Sequence, residues 1–195
     1  MDDSDVVLFT ATSLGYNTTG TFSVYFDGSD VGLANNAEDV DAIEILPTGE
    51  LVVSTSGNFS VPVANPGPAL PAITISGDGA PGGRVLIKCT GTFGENTTCN
   101  WSVYFDGRDV GLNLEAENAD GLAVGANGNV YLSTSGNFSV PLAPTGNLTG
   151  QDEDIFVCQP VSLGDNTACI YLPAAFFDGT TLGLSGNDVA AIELP

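Results

Sequence analysis

The sequence predicts an all-β chain of repeated four-stranded antiparallel units, with a β-prism or a β-sandwich of repeats as the alternative arrangement. Three observations predict it. The chain repeats itself: Ser-Val-Tyr-Phe-Asp-Gly at 23–28 returns at 102–107, and Ser-Thr-Ser-Gly-Asn-Phe-Ser-Val-Pro at 54–62 returns unchanged at 133–141. Residues 27–62 and 106–141 align without a gap, with 19 of 36 positions identical. A fixed period means one supersecondary unit stacked on copies of itself. Short runs of β-branched and aromatic residues, bounded by Gly, Asn, Asp and Pro, supply the second observation, and no stretch has a 3.6-residue apolar period. The third is hairpin turn chemistry between those runs.

Taken along the chain, strand three of the unit comes first, at 6–10, and recurs at 85–89 and 155–158. Strand four follows at 21–26, 100–105 and 170–177. A Gly-x-Asn-Thr turn joins them at 15–18, 94–97 and 164–167. Strand one is expected at 41–46, 120–124 and 190–194, and strand two at 50–55 and 130–134. Tight turns link one to two, Pro47-Thr48-Gly49 in one copy and Ala126-Asn127-Gly128-Asn129 in the other; Asn-Gly tolerates the positive φ a hairpin turn demands. The expected layout is repeat 1 at 1–62, a Pro/Gly-rich linker at 63–84, repeat 2 at 85–141, a linker at 142–151, and a partial repeat 3 at 152–195. That makes eleven strands, one short of three full units.

Four cysteines, Cys89, Cys99, Cys158 and Cys169, form two local pairs in matching parts of two repeats. In the first repeat the aligned positions are Thr10 and Gly20. Cysteines that come and go in pairs read as disulfides, each clipping one hairpin. Zinc spacing and histidine are both absent. Disulfides imply an oxidising compartment, so the chain is expected to be secreted or on a cell surface. Residues 1–5 lack a signal-peptide pattern, which fits a mature or excised form with an added start methionine.

Twenty-four acidic residues face three basic ones, Arg84, Lys88 and Arg108, for a net charge of −21. Such a field repels phosphate backbones and anionic membrane surfaces, so nucleic-acid partners are not expected. No run reaches the roughly 18 apolar residues of a membrane helix, so no insertion is expected. The field favours cations, calcium above all. The candidate ligands are Asp27, Asp30, Asp39 and Asp41 in the first copy, with Glu38 beside them, and Asp106, Asp109 and Asp120 in the second, with Glu117 and Asn118. Asp-Gly turns alone account for many of these residues, because Asp bonds its own backbone there. In the third copy Thr181 stands for the second Asp and Ala190 for the Asp of strand one.

Catalytic chemistry finds little support. With no histidine the commonest general base and the Ser-His-Asp triad are gone. Lys88 reads as a surface residue. The carboxylate pairs Asp27 with Asp41 and Asp106 with Asp120 occur twice, whereas an active site is usually built once. Six N-x-S/T sequons, at Asn17, Asn58, Asn96, Asn100, Asn137 and Asn147, are candidate glycosylation sites. The aromatics at strand ends, Tyr25, Phe26, Tyr104, Phe105, Phe176 and Phe177, read as core rather than as a carbohydrate platform.

Asp120-Gly121-Leu122-Ala123-Val124 followed by Gly128-Asn129-Val130-Tyr131-Leu132 resembles the first two strands of a β-propeller blade. The chain also resembles repeats of uncharacterised secreted bacterial proteins that carry motifs like Tyr104-Phe105-Asp106-Gly107 and Asp152-Glu153-Asp154-Ile155-Phe156-Val157-Cys158. The resemblance implies propeller-blade-like units and leaves function open. Three blades do not close comfortably, so an unpaired strand edge is expected to recruit another chain. The expectation is a non-enzymatic structural or adhesive protein that self-associates through strand edges as a filament or surface-layer subunit, with calcium as a stabilising ion. A glycan- or protein-binding module is the alternative, and a carboxylate hydrolase the third.

Overall fold

The computed structural model describes residues 1–63, 72–74 (backbone only) and 82–195. Their strands are β1 Val6–Ser13, β2 Thr19–Phe26, β3 Val40–Ile45, β4 Leu51–Thr55, β5 Ser60–Pro62, β6 Ala72–Thr74, β7 Val85–Thr92, β8 Thr98–Asp106, β9 Ala119–Val124, β10 Val130–Thr134, β11 Phe138–Pro141, β12 Asn147–Gly150, β13 Phe156–Ser162 and β14 Ala168–Tyr171. Short 3-10 turns are the only helical elements among the described residues.

Two four-stranded antiparallel sheets carry the fold, ordered β3-β4-β7-β8 and β9-β10-β13-β14. Each is the one-two-three-four meander that the repeat pattern predicts. Their spans, 40–106 and 119–171, are out of phase with the sequence blocks 1–62, 85–141 and 152–195. The hairpin β1-β2 is a third, partial unit holding strands three and four alone. Two small hairpins, β5-β6 and β11-β12, stand beside the large sheets.

Several sequence expectations need correcting. Part of the expected linker 142–151 pairs as β12, and β6 and the 3-10 turn Gly82–Arg84 fall inside the expected linker 63–84, of which residues 64–71 and 75–81 lie outside the described residues. Strand four of the last repeat stops at Tyr171 rather than 177. Pro173 follows, and proline has no N–H for a ladder. Residues 190–194 form no strand. Val189 N bonds Asp152 O at 3.0 Å, and residues 190–194 pair with no strand among the described residues.

Packing follows strand alternation. In the sheet β3-β4-β7-β8, Val52, Leu86 and Phe105 point to a core shared with Leu122, Leu132, Phe138 and Phe156 of the next sheet. Leu51, Val53, Ile87 and Trp101 point the opposite way, into a second core with Phe26 of the partial unit. Trp101 Nε1 donates to Val31 O at 3.0 Å, so even the largest buried ring has its polar atom satisfied. Two buried carboxylates brace the repeats. Glu38 accepts from the Ala34, Asn35 and Ser60 backbone N–H groups, and Glu117 accepts from those of Asn113, Leu114 and Ser139. Backbone donors thus take the place that a metal ion would need at these two positions.

Both predicted disulfides are present. Cys89–Cys99 spans 5.0 Å between Cα atoms and Cys158–Cys169 spans 5.3 Å. Strand register corrects the aligned position in the first repeat. Gly91 faces Cys99 and Pro160 faces Cys169, with the partner cysteine two residues earlier in each case. Ala11 faces Gly20, which makes Phe9 the counterpart rather than Thr10. The Phe9 ring covers Gly20, filling the space of the missing disulfide.

Candidate functional site

The acidic residues singled out by the sequence separate into two places. Asp27, Asp30, Asp106 and Asp109 lie where one unit meets the Gly-x-Asn-Thr turn of the next. Thr97 N donates to Asp30 Oδ2 at 3.0 Å, and Thr97 Oγ1 accepts from Asp27 N at 2.9 Å. The same pair of bonds recurs between Thr167, Asp109 and Asp106, at 3.0 and 2.8 Å. Asp106 also pairs with Arg108 at 2.7 Å. The turn glycines Gly94 and Gly164 have φ of 130° and 95°, a region open to glycine. In the third copy Thr181 stands at the place of Asp30, and its N bonds Asp178 Oδ1 at 3.0 Å just as Asp30 N bonds Asp27 Oδ1 at 3.3 Å. The corresponding turn at the other end, 15–18, is exposed, as are Leu14 and Tyr16 beside and within it.

Asp41 and Asp120 lie elsewhere, at the start of strand one in each large sheet, joined by Asp188 from the third copy. Sequence alignment sets Asp188 opposite Asp39 and Asn118, not opposite Asp41 and Asp120, and this offset hides its part in the group. Asp120 is 3% exposed. Its Oδ1 lies 3.1 Å from Ser133 Oγ, while its Oδ2 is buried with no partner. Burial, with the charges of Asp188 and Asp41 added, pushes the Asp120 carboxyl up to about 7. Asp41 is also raised, by burial first and then by Asp188, although Asn118 Nδ2 donates to its Oδ2 at 3.1 Å. Asp39 is raised by burial and by Asp3, and its Oδ1 has no partner. Among the described residues, no group of three or more Asp, Glu or Cys side chains is arranged to hold a metal ion.

This acidic centre opens on a cavity of about 610 Å³. Its walls are Val40 to Ile43 of β3, Asp120 to Leu122 of β9, residues 190–193, and Asp5 to Val7 at the start of β1. The cavity therefore brings together strand one of the two large sheets, the equivalent non-strand segment 190–193 of the third copy, and strand three of the partial unit.

The two complete units show what normally stands between strands one and three. In the first, Ile43 pairs Val53, which pairs Ile87. In the second, Leu122 pairs Leu132, which pairs Phe156. Register makes Val7 the counterpart of Ile87 and Phe156, and Leu8 the counterpart of Lys88 and Val157. Ile87, Phe156 and Val157 are fully buried, whereas Val7 is 42% and Leu8 48% exposed. β1 pairs with β2 alone among the described residues. Strand two also reaches the following unit: Ser54 Oγ donates to Ala119 O at 2.7 Å, and Ser133 Oγ bonds Val189 O. By the same rotation, no strand two among the described residues lies over β3. Ile43 is 38% exposed, against 1% for its counterpart Leu122.

The six sequon asparagines are all exposed. Lys88 is half-buried and pairs with Glu50 at 3.4 Å. Phe26 and Phe105 are core residues as expected, but Phe176 is exposed and contacts Tyr131 edge-on. No protein-family model, no curated protein and no solved structure matches the chain.

Proposed function

We propose that the chain is a non-enzymatic structural or adhesive module of blade-like repeats, acting outside the cell and associating with other copies through β-strand edges. One observation carries this reading: strand β1 has an open edge whose apolar residues Val7 and Leu8 are half exposed, while their counterparts in the complete unit β9-β10-β13-β14 are fully buried. Unpaired N–H and C=O groups beside apolar side chains are a template for strand addition. Two disulfides and six exposed sequons support an extracellular setting. Blade-like sheets support a scaffold role, and the lack of histidine removes the usual machinery of acid–base catalysis.

Calcium is the ion this reading assigns to the chain on its net charge of −21, with the unpartnered oxygens of Asp120 and Asp39 as hard donors in two separate places rather than as one preformed site. Light scattering coupled to size exclusion, with negative-stain microscopy, tests both statements, first in calcium and then in EDTA. Concentration-dependent oligomers or filaments are expected, with EDTA weakening them. A monomer at every concentration overturns the self-association, and oligomers indifferent to EDTA overturn the calcium.

A further inference from the structure

We infer that the cavity between β1 and residues 190–193 is a receptor slot for one extended segment, supplied by another polypeptide and carrying the chemistry of the repeat's second strand. The inference rests on the reading that the β1 edge is where the chain assembles, and it names what enters there.

The two filled copies define the occupant. β4 is Leu-Val-Val-Ser-Thr and β10 is Val-Tyr-Leu-Ser-Thr. Both are uncharged, and all but Tyr131 of their residues are buried. An uncharged strand suits walls that already hold Asp5, Asp41, Asp120 and Glu193, since an acidic residue there would add to the repulsion. Continuity with the existing sheets sets the register. In the filled copies the third residue of strand two faces Ile87 or Phe156, so in the slot it faces Val7. The fourth residue is serine in both copies. Its hydroxyl reaches Ala119 O from the first unit and Val189 O from the second. In the slot, the counterpart carbonyl is that of Val40. The occupant therefore adds backbone bonds to β1, covers Val7, Leu8 and Ile43, and is held in register by one serine.

A free segment fits better than β4 or β10 of a second copy. Each of those strands is internal to its own sheet, paired on both edges, and withdrawing it would open a core.

The test uses the whole chain and a synthetic, end-capped peptide of residues 49–56 with Glu50→Gln, Gly-Gln-Leu-Val-Val-Ser-Thr-Ser, because the Lys88 that pairs with Glu50 in the filled copy has Leu8 as its counterpart in the slot. Fluorescence anisotropy is expected to show saturable one-to-one binding. Amide hydrogen exchange is expected to slow in β1 between Val6 and Phe9 and to stay unchanged in β7 and β13. A peptide with Val53→Asp is expected to bind at least tenfold more weakly, and so is a Val7→Asp chain whose circular dichroism matches the parent. The peptide variant keeps the test sharp if the chain variant fails to fold. Absent binding, or equal binding of the Val53→Asp peptide, overturns the inference, as does protection away from β1. Light scattering of the chain without peptide separates this from the broader reading. Oligomers that the peptide does not displace overturn the slot and leave strand-edge assembly standing. A monomer that binds the peptide upholds the slot and overturns self-association.

Discussion

Replacing Asp120 with Asn is expected to stabilise the protein above neutral pH and to do almost nothing at pH 4. Asp120 is buried, and its carboxyl is raised from the model-peptide value of 3.8 to about 7. A raised acid binds its proton more tightly in the folded state than in the unfolded chain. Ionising it therefore favours unfolding, and stability falls as pH rises from about 4 through about 7. Each pKa unit is worth about 1.4 kcal/mol, so a shift of roughly three units sets an upper value of about 4 kcal/mol. Part of that belongs to repulsion shared with Asp188 and Asp41, so about 2–4 kcal/mol is the expected gain. Asparagine keeps an oxygen for Ser133 and removes the charge. For a chain of this size, 2 kcal/mol corresponds to a rise in Tm of roughly 4–8 °C. Thermal unfolding of parent and variant at pH 4, 6 and 8, in EDTA, measures it. The difference between the two curves should open between pH 4 and 8. A constant difference, or a variant less stable at pH 8, would refute the reasoning.

Two further perturbations have defined magnitudes. Asp109→Ala removes the acceptor for Thr167 N and is expected to cost about 0.5–1.5 kcal/mol in urea unfolding, the net worth of a part-buried hydrogen bond whose donor water can reach once the exposed carboxylate is gone; no loss would mean that the turn is held by the Asp106–Thr167 bond alone. Converting Cys158 and Cys169 to Ala opens a loop of sequence separation 11 and is expected to cost about 2–3 kcal/mol. The same change at Cys89 and Cys99 should cost about as much, and a negligible effect of either would show that the unfolded chain is not what the crosslink restrains.

The large sheets were legible because their signals are local. Alternating β-formers, Gly-x-Asn-Thr turns and paired cysteines each act between neighbours in sequence, and the strands of the large sheets fall near their expected positions, except that β14 ends six residues early at Tyr171. The hairpins β5-β6 and β11-β12 escaped notice for the opposite reason. Their strands are three or four residues long, two of them end in proline, and partners sit across stretches that read as linkers. The Phe9 counterpart was hidden by a bulge between Ala11 and Ser13, which shifts the register by one and defeats ungapped alignment. The acidic loop was misleading because its residues serve different neighbours. Asp30 reaches 67 residues forward to Thr97, and Asp41 turns toward Asn118 on the next unit. Such contacts depend on how units stack, which no spacing within one repeat records.

The acidic centre and the open slot belong to one asymmetry. Asp41 and Asp120 hold the same place in successive units, yet Asp120 is nearly fully buried while Asp41 is half-buried on a wall of the cavity. The units differ in what covers them. β4 lies over the start of β9 through the Ser54–Ala119 bond, whereas the start of β3 has no strand two over it among the described residues and is met by one backbone bond, Val40 N to Asp3 O at 3.1 Å. An occupant of the slot would cover it, withdrawing Asp41 from water as Asp120 already is. The Asp41 carboxyl is already raised by burial and by Asp188, and further burial raises it more. Binding then takes up a proton, so the peptide of residues 49–56 should bind more tightly at pH 5 than at pH 8. Asp41→Asn should lessen that pH dependence while leaving binding at pH 5 nearly unchanged. If the affinity ratio between the two pH values is the same in parent and variant, the slot does not bury Asp41, and the occupant does not lie over β3 as β4 lies over β9.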